Sequence, residues 1–190
     1  MKKYLSGSVV GIFGLPCSGK TTIVKTLVGA SREIIATIST GDIVRKLSSE
    51  AETANMAKGE LFSDEDRLRT EVLNIINKRR VSGAELILLE GMPRTKEQVE
   101  WLLKEQLVGG PGNGCLVQIM GDRLLERAGN RFRDEQDASD LLQLKIDKQQ
   151  KEISRMDDYI HRIGIEYWVI QNYQLDLAVK RFAHLLGLRK

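Results

Sequence analysis

Residues 8–22 read SVVGIFGLPCSGKTT. An apolar run ends at Gly14, four residues containing Pro16 and Cys17 follow, and Gly19, Lys20, Thr21 and Thr22 close the stretch. Such a stretch is either a plain strand–turn–helix connection or a cradle for an anion. The spacing Gly14-x4-Gly19-Lys20-Thr21 is that of the phosphate-binding P-loop. Glycines let the backbone turn where a side chain would clash, so that successive N–H groups point inward. A helix starting there presents unpaired N–H groups and its dipole to phosphates. Lys20 can reach the β- and γ-phosphates, and the Thr21 hydroxyl can ligate Mg²⁺. Cys17 occupies a free position of the loop, where its backbone matters more than its thiol.

Working outward, apolar segments alternate with amphipathic ones, which predicts an α/β fold with a mostly parallel sheet. Five strands are expected at 8–14, 33–39, 85–91, 114–120 and 166–172. The continuous apolar run ELILLEG (85–91) suits a strand covered on both faces. A helix begins inside GKTTIVKTLVGA. Another spans about 65–80, with Leu68, Val72, Ile75 and Ile76 on one face. A longer one spans about 138–163, with Leu142, Ile146, Ile153, Met156, Ile160 and Ile163 as a core-facing stripe. LVGGPGNG (107–114) reads as a loop.

The 190 residues suit one domain, and 42% hydrophobic with 29% charged residues is ordinary for a globular protein. No apolar run approaches the ~20 residues of a membrane span. The start MKKYLSGSVVGIF has a basic end and an apolar run but no small-residue cleavage site, so it reads as a buried first strand and the expected setting is cytoplasmic. Cys17 and Cys115 lack metal-ligand spacing, and His161 and His184 have no partner motif, which argues against a histidine-bound metal or a Ser-His-Asp centre. The net charge of +3 suits an anionic ligand and is weak support for nucleic-acid binding. Asn77-Lys78-Arg79-Arg80 lacks the aspartate of a guanine-reading N-K-x-D motif, and the dinucleotide pattern G-x-G-x-x-G is absent.

Three further stretches carry information. ISTGDIVRKL (38–47) follows the second strand; Gly41 is expected to give a turn, with Asp42 near the strand end and Arg45 on the first helical turn. AKGELFSDED (57–66) forms a second polar turn. LLEGMPRTKEQ (88–98) ends a buried strand with Glu90, Gly91, Pro93 and Arg94. An acid at the end of a buried strand beside a P-loop can hold Mg²⁺ or its waters, and an arginine just beyond can grip a phosphate bidentately.

Together with the P-loop, these stretches resemble, in order and spacing, the adenylate kinase family of nucleoside monophosphate kinases. The resemblance runs from residue 8 to about 133. It implies a P-loop fold of five parallel strands with helices on both faces, a core of 1–39, 81–126 and 137–190, a helical acceptor-binding arm at about 40–80 and a short lid at about 127–136. It implies transfer of the γ-phosphate of ATP to a nucleoside monophosphate, by a protein expected to be monomeric. Gly14, Ser18, Gly19, Lys20, Thr21 and Thr22 would hold ATP, with Arg127 against the donor base. Thr40, Gly41, Gly91 and Gln98 would line the acceptor site, with the backbone from Leu61 through Phe62 to Ser63 against the base. Arg45 and Arg94 would bind the acceptor phosphate. Lys20, Arg94, Arg131 and Arg133 would serve the transfer, and Thr21, Glu90 and Asp42 the metal.

The chain departs from the family pattern in places. Glu90 replaces the usual aspartate, Met92 a phenylalanine and Phe62 a small aliphatic residue. After Arg133-Asp134-Glu135, Lys145 stands where an arginine is expected, and lysine cannot copy the arginine fork. Arg123 precedes Arg127 and Arg131 at four-residue steps, which puts it on their helix face, and it is expected to be solvated. The altered residues permit two rival readings. One is a kinase acting on an unusual deoxynucleotide or on a hydroxymethylated base in DNA. The other is a nucleotide-binding regulator without turnover, which would have no use for both phosphate sites.

Overall fold

The computed structural model describes residues 4–57, 60–110, 112–129 and 136–188. Five strands, β1 (Ser8–Phe13), β2 (Ile35–Ser39), β3 (Leu86–Glu90), β4 (Leu116–Gly121) and β5 (Tyr167–Asn172), form one sheet in the order β2-β3-β1-β4-β5. Every neighbouring pair is parallel. Eight helices connect and cover them among the described residues: α1 (Lys20–Ala30), α2 (Thr40–Leu47), α3 (Glu50–Ala57), α4 (Glu65–Val81), α5 (Lys96–Lys104), α6 (Leu124–Gly129), α7 (Gln136–Ile163) and α8 (Leu175–Leu186). The parallel α/β sheet is what the alternating pattern predicts, and the P-loop fold is what the resemblance implies.

Apart from Ser8 at the start of β1 and Glu90 at the end of β3, the two strands are apolar because both of their faces are covered. One core layer joins Val9, Phe13, Ile87 and Leu89 to Val72 and Ile76 of α4 and to Met156 and Ile160 of α7. The opposite layer joins Val10, Ile12 and Leu88 to Ile23 and Leu27 of α1 and to Phe182 of α8.

The chain builds outward from β1 to β3 and β2 on one side, and to β4 and β5 on the other. A crevice therefore opens beyond the carboxyl ends of β3, β1 and β4, where the winding reverses. The register sets what lines it. Ile12 pairs with Glu90, and Glu90 with Ser39, so the ends of three strands lie level just before Gly14. On the other side Gly121 pairs with Asn172.

Three expectations change. Gly41 does not turn the chain; it is the second residue of α2, and the Ser39 hydroxyl caps that helix by accepting from the Asp42 N–H at 3.2 Å. Arg123 precedes α6 in a left-handed conformation (φ 46°) and does not share a helix face with Arg127. In the α7 stripe, Ile153, Met156 and Ile160 are buried, whereas Leu142 and Ile146 are half-buried and Ile163 is exposed. The amino-terminal half of α7 has left the core and stands over the crevice.

Candidate active site

The loop after β1 is held by its neighbours more than by its own side chains. Gly14 lies so close to β4 that a Cβ would stand 2.2 Å from the Ile119 carbonyl oxygen. Gly19 has φ 89°, and its Cβ would stand 2.1 Å from Nδ2 of Asn172. The buried Asn172 amide donates to the Ser18 carbonyl at 2.9 Å, tying the loop to the end of β5. Sequence reasoning missed Asn172; its one signal was a polar residue closing an apolar strand.

α2, α4 and α5 are capped by the side chains of Ser39, Asp64 and Thr95. α1 begins at Gly19 with no side-chain cap and no acid in its first turn, which leaves its first N–H groups to an anion. Lys20 bends back over the loop. Its Nζ donates to the carbonyls of Gly14 (2.9 Å) and Leu15 (2.7 Å) and to the Ser18 hydroxyl (3.3 Å).

The Thr21 hydroxyl donates to Oε1 of Glu90. A hydroxyl and a carboxylate, both hard oxygen donors, suit Mg²⁺, which takes few protein ligands and completes its shell with water and phosphate oxygens. The residues therefore fit the ion. Asp42 is engaged elsewhere: its carboxylate accepts from Arg45, and that bond, ahead of the Ser39 hydroxyl, holds its pKa below the usual range. No cluster of three or more metal-ligating side chains occurs among the described residues.

Three cavities bear on the site. The first, about 280 Å³, is lined by Cys17, Gly19, Thr22, Arg127, Asn172 and Tyr173. Arg127 is fixed there by donating to Asp122 Oδ1 (2.5 Å) and to the Asn172 carbonyl (2.8 Å). Arg123 is exposed and, among the described residues, its ion pairs are with Asp122 and Glu126, at 3.6 and 3.8 Å. Arg131 and Arg133 lie outside the described residues.

The second cavity, about 260 Å³, sits between α2, α4 and the turn after β3. Thr40, Gly41, Arg45, Leu61, Phe62, Gly91, Arg94 and Gln98, which the resemblance assigns to the acceptor, are brought together in its lining. Ser63 does not; its hydroxyl donates to Glu52 at 2.7 Å. The buried Thr40 donates to the Glu90 carbonyl at 3.0 Å and so pins α2 to the end of β3. Gln98 is buried with both ends of its amide in use. Its Oε1 accepts from the Arg94 N–H (2.7 Å), and its Nε2 donates to both oxygens of Glu65 (2.9 and 3.2 Å). Glu65, which sequence reasoning did not single out, also faces Arg69 at 3.5 Å. Arg94 donates through Nε to the Gly91 carbonyl at 2.9 Å. Burial lowers its pKa, and the Glu65 charge opposes that shift.

The third cavity, about 190 Å³, lies over Lys20. It shares Leu61, Gly91, Arg94 and Lys145 with the second cavity. α7 forms its far wall with Lys145, Lys148, Gln149 and Glu152.

The chain is similar to known proteins. The profile of a family described as an AAA domain matches residues 13–141. An adenylate kinase of Petrotoga mobilis is 33% identical over 127 residues, 63% of this chain and 55% of that protein. One of Helicobacter pylori is 33% identical over 96 residues, half of each chain. One of Salinibacter ruber is 31% identical over 184 residues, 92% of this chain and 82% of that protein. The chain thus spans about half the length of the first two relatives and most of the third. With a five-stranded parallel sheet, a P-loop at its centre and a match to a relative along nearly its whole length, the chain belongs to the adenylate kinase family of P-loop kinases.

Proposed function

We propose that the protein transfers the γ-phosphoryl group of ATP to a nucleoside monophosphate, giving ADP and a nucleoside diphosphate. One observation carries this reading: the cavity over Lys20 and the cavity between α2 and α4 meet along a shared wall that contains Arg94 and Lys145. Two phosphate-bearing ligands seated in them would face each other across two cations.

ATP would lie with its phosphates on the uncapped start of α1 and its base toward Arg127, Thr22 and Tyr173. Lys20 would exchange the Gly14 and Leu15 carbonyls for phosphate oxygens. Thr21 and Glu90 would hold Mg²⁺, which neutralises phosphate charge when bound; Asp42, paired with Arg45, is left out of this set. The monophosphate would lie with its base among Val44, Met56, Phe62 and Met92 and its phosphate at Arg45 and Arg94. An oxygen of that phosphate attacks the γ-phosphorus, the bond from it to the bridging oxygen breaks, and ADP leaves with that oxygen. The protein's share is alignment and charge stabilisation. Closure of the arm (about 40–80) and lid (about 127–136) would exclude water.

Walls from several elements around a cavity of about 260 Å³ support a free mononucleotide over a base held in a DNA strand. The protein is proposed to act as a monomer. No described helix is long and apolar enough to cross a membrane; the cytoplasm, where ATP is abundant, is the proposed setting.

The test is ADP formation from ATP·Mg²⁺ with AMP, CMP, UMP, GMP, their deoxy counterparts, modified deoxynucleotides and hydroxymethylated DNA. Turnover that depends on one free monophosphate is the expected result and names the acceptor. ATP binding without turnover on any free monophosphate overturns the reading.

A further inference from the structure

The hydrogen-bonding groups of the acceptor cavity are unevenly matched. Its apolar walls, Val44, Met56, Phe62, Leu68 and Met92, can hold the faces of a base but cannot tell one base from another. Its cations, Arg45, Arg94 and Lys145, suit a phosphate. The other polar side chains of the described lining are Thr40, Thr53, Glu60, Glu65 and Gln98. The donors of this set are directed into the protein. The Thr40 hydroxyl donates to the Glu90 carbonyl and the Thr53 hydroxyl to the Ser49 carbonyl, each at 3.0 Å. Nε2 of Gln98 donates to both oxygens of Glu65. The amide cannot be turned round, because its Oε1 accepts from the Arg94 N–H and would meet a carboxylate if it faced Glu65. What these side chains offer to the edge of a base is carboxylate oxygen.

Glu65 is the better held of the two carboxylates. It opens α4, where the positive end of the helix favours an anion, and Leu68, one turn on, lines the same cavity. Gln98 fixes it from α5, and Arg69 faces it from its own helix at 3.5 Å. Its side chain remains 31% exposed. Each carboxylate oxygen has two lone-pair sites, so the bonds from Gln98 leave acceptor capacity on both. Glu60 lies on the exposed turn before α4.

We propose that Glu65 reads the acceptor base and that the acceptor is a guanine nucleotide. The proposal rests on the kinase reading and deepens it by naming the base. Guanine carries two adjacent N–H donors on one edge, at N1 and at the 2-amino group, and these match the two oxygens of a carboxylate as a guanidinium fork does. Adenine sets a lone pair at N1 against the carboxylate, and cytosine does so at N3. Uracil and thymine flank their single N3–H with two carbonyl oxygens. Each of these arrangements points an acceptor at an acceptor among apolar walls, where an unpaired polar group is costly.

Steady-state kinetics on the full chain with ATP·Mg²⁺ test the base. GMP or dGMP is expected to give the highest kcat/KM. IMP keeps N1–H but lacks the 2-amino group and is expected to fall about tenfold; XMP has a carbonyl in its place and is expected to fall at least a hundredfold. AMP, CMP or UMP outperforming GMP overturns the proposal and leaves the kinase reading intact. Glu65→Gln separates reading a base from supporting Arg94. A residue acting only through the Arg94 charge would cost every monophosphate the same factor. The expected result is a rise of about tenfold in the KM for GMP, a change of less than threefold for AMP, and an advantage of GMP over XMP reduced about tenfold. Equal losses for GMP, IMP and XMP overturn the role of Glu65. A thermal melt separates loss of the contact from loss of fold, and the wild-type ratios among the three purine nucleotides need no variant. If wild type turns over no monophosphate, the kinase reading fails first. Calorimetry with GMP, IMP and XMP then tests the pocket alone: affinity falling in that order supports the assignment, and equal affinity removes it.

Discussion

Around Gly14–Thr22 the cleft is walled by main chain, and around Thr40–Gln98 it is walled by side chains. Gly14 and Gly19 leave no space for a Cβ beside Ile119 and Asn172, and Lys20 rests on main-chain carbonyls. Across the cleft, Phe62, Met92 and Leu68 supply apolar surface, and Glu65, Gln98 and Arg94 form a linked polar set. A polyphosphate is the same in every nucleoside triphosphate, so a fixed backbone nest can receive it. Bases differ from one acceptor to the next, and side chains are the part of a pocket that can be exchanged without refolding the chain. The family pattern is kept on the first side and altered at residues 62 and 92 on the second.

The comparison breaks first on the donor side if Lys20 is not what joins the nest to the transferred group. Lys20→Ala is expected to lower kcat about a thousandfold, with the fold retained, as a thermal melt would check. A kcat within tenfold of wild type would contradict the role. Gly19→Ala tests the backbone itself. The new Cβ would displace the Asn172 amide from Ser18 and impose φ 89° on an L-residue, a cost of about 1–3 kcal/mol. ATP binding measured by calorimetry is expected to fall at least tenfold, and unchanged affinity would mean that the loop relaxes freely.

The acceptor side is sharpened by Glu65→Gln. The change keeps size but removes the charge that favours the Arg94 guanidinium and sets an NH₂ group against the Gln98 amide. The acceptor KM is expected to rise about tenfold while the KM for ATP stays within twofold. Equal shifts in both would mean that the two sides are not separately built.

The same contrast explains what could be read from the residues alone. Gly14, Gly19, Lys20 and Thr21 lie within eight positions, and their spacing encodes a local geometry that needs no knowledge of the rest of the fold. The sheet was equally legible, because β1 and β3 are apolar on both faces. Gly41 misled because a glycine after a strand usually turns the chain, whereas here Ser39 caps a helix that starts at once. Glu65 and Asn172 escaped notice for one shared reason. Each acts on a partner brought near only by the fold, namely Gln98 and Ser18. Nothing in the local sequence of a solvated-looking glutamate or asparagine announces such a partner. Lys145 was seen as a departure from a motif, but that it lies between two cavities follows only from the path of α7.

The smallest effect separates two arginines four residues apart. Arg127 donates both to Asp122 and to the Asn172 carbonyl, and it lines the cavity beside Thr22, so it braces the residue that clamps the P-loop. Its loss removes two hydrogen bonds from a half-buried guanidinium, and Arg127→Ala is expected to raise the KM for ATP about five- to tenfold with kcat largely kept. Arg123 carries the same charge but is exposed, its ion pairs are longer than 3.5 Å, and it lines none of the three cavities. Exposed pairs of this kind contribute little. Arg123→Ala is expected to leave both KM values within twofold and stability within about 0.5 kcal/mol. If Arg123→Ala weakened ATP binding as much as Arg127→Ala, the donor side would be steered by net positive charge, and the distinction between a built nest and a basic surface would fail there.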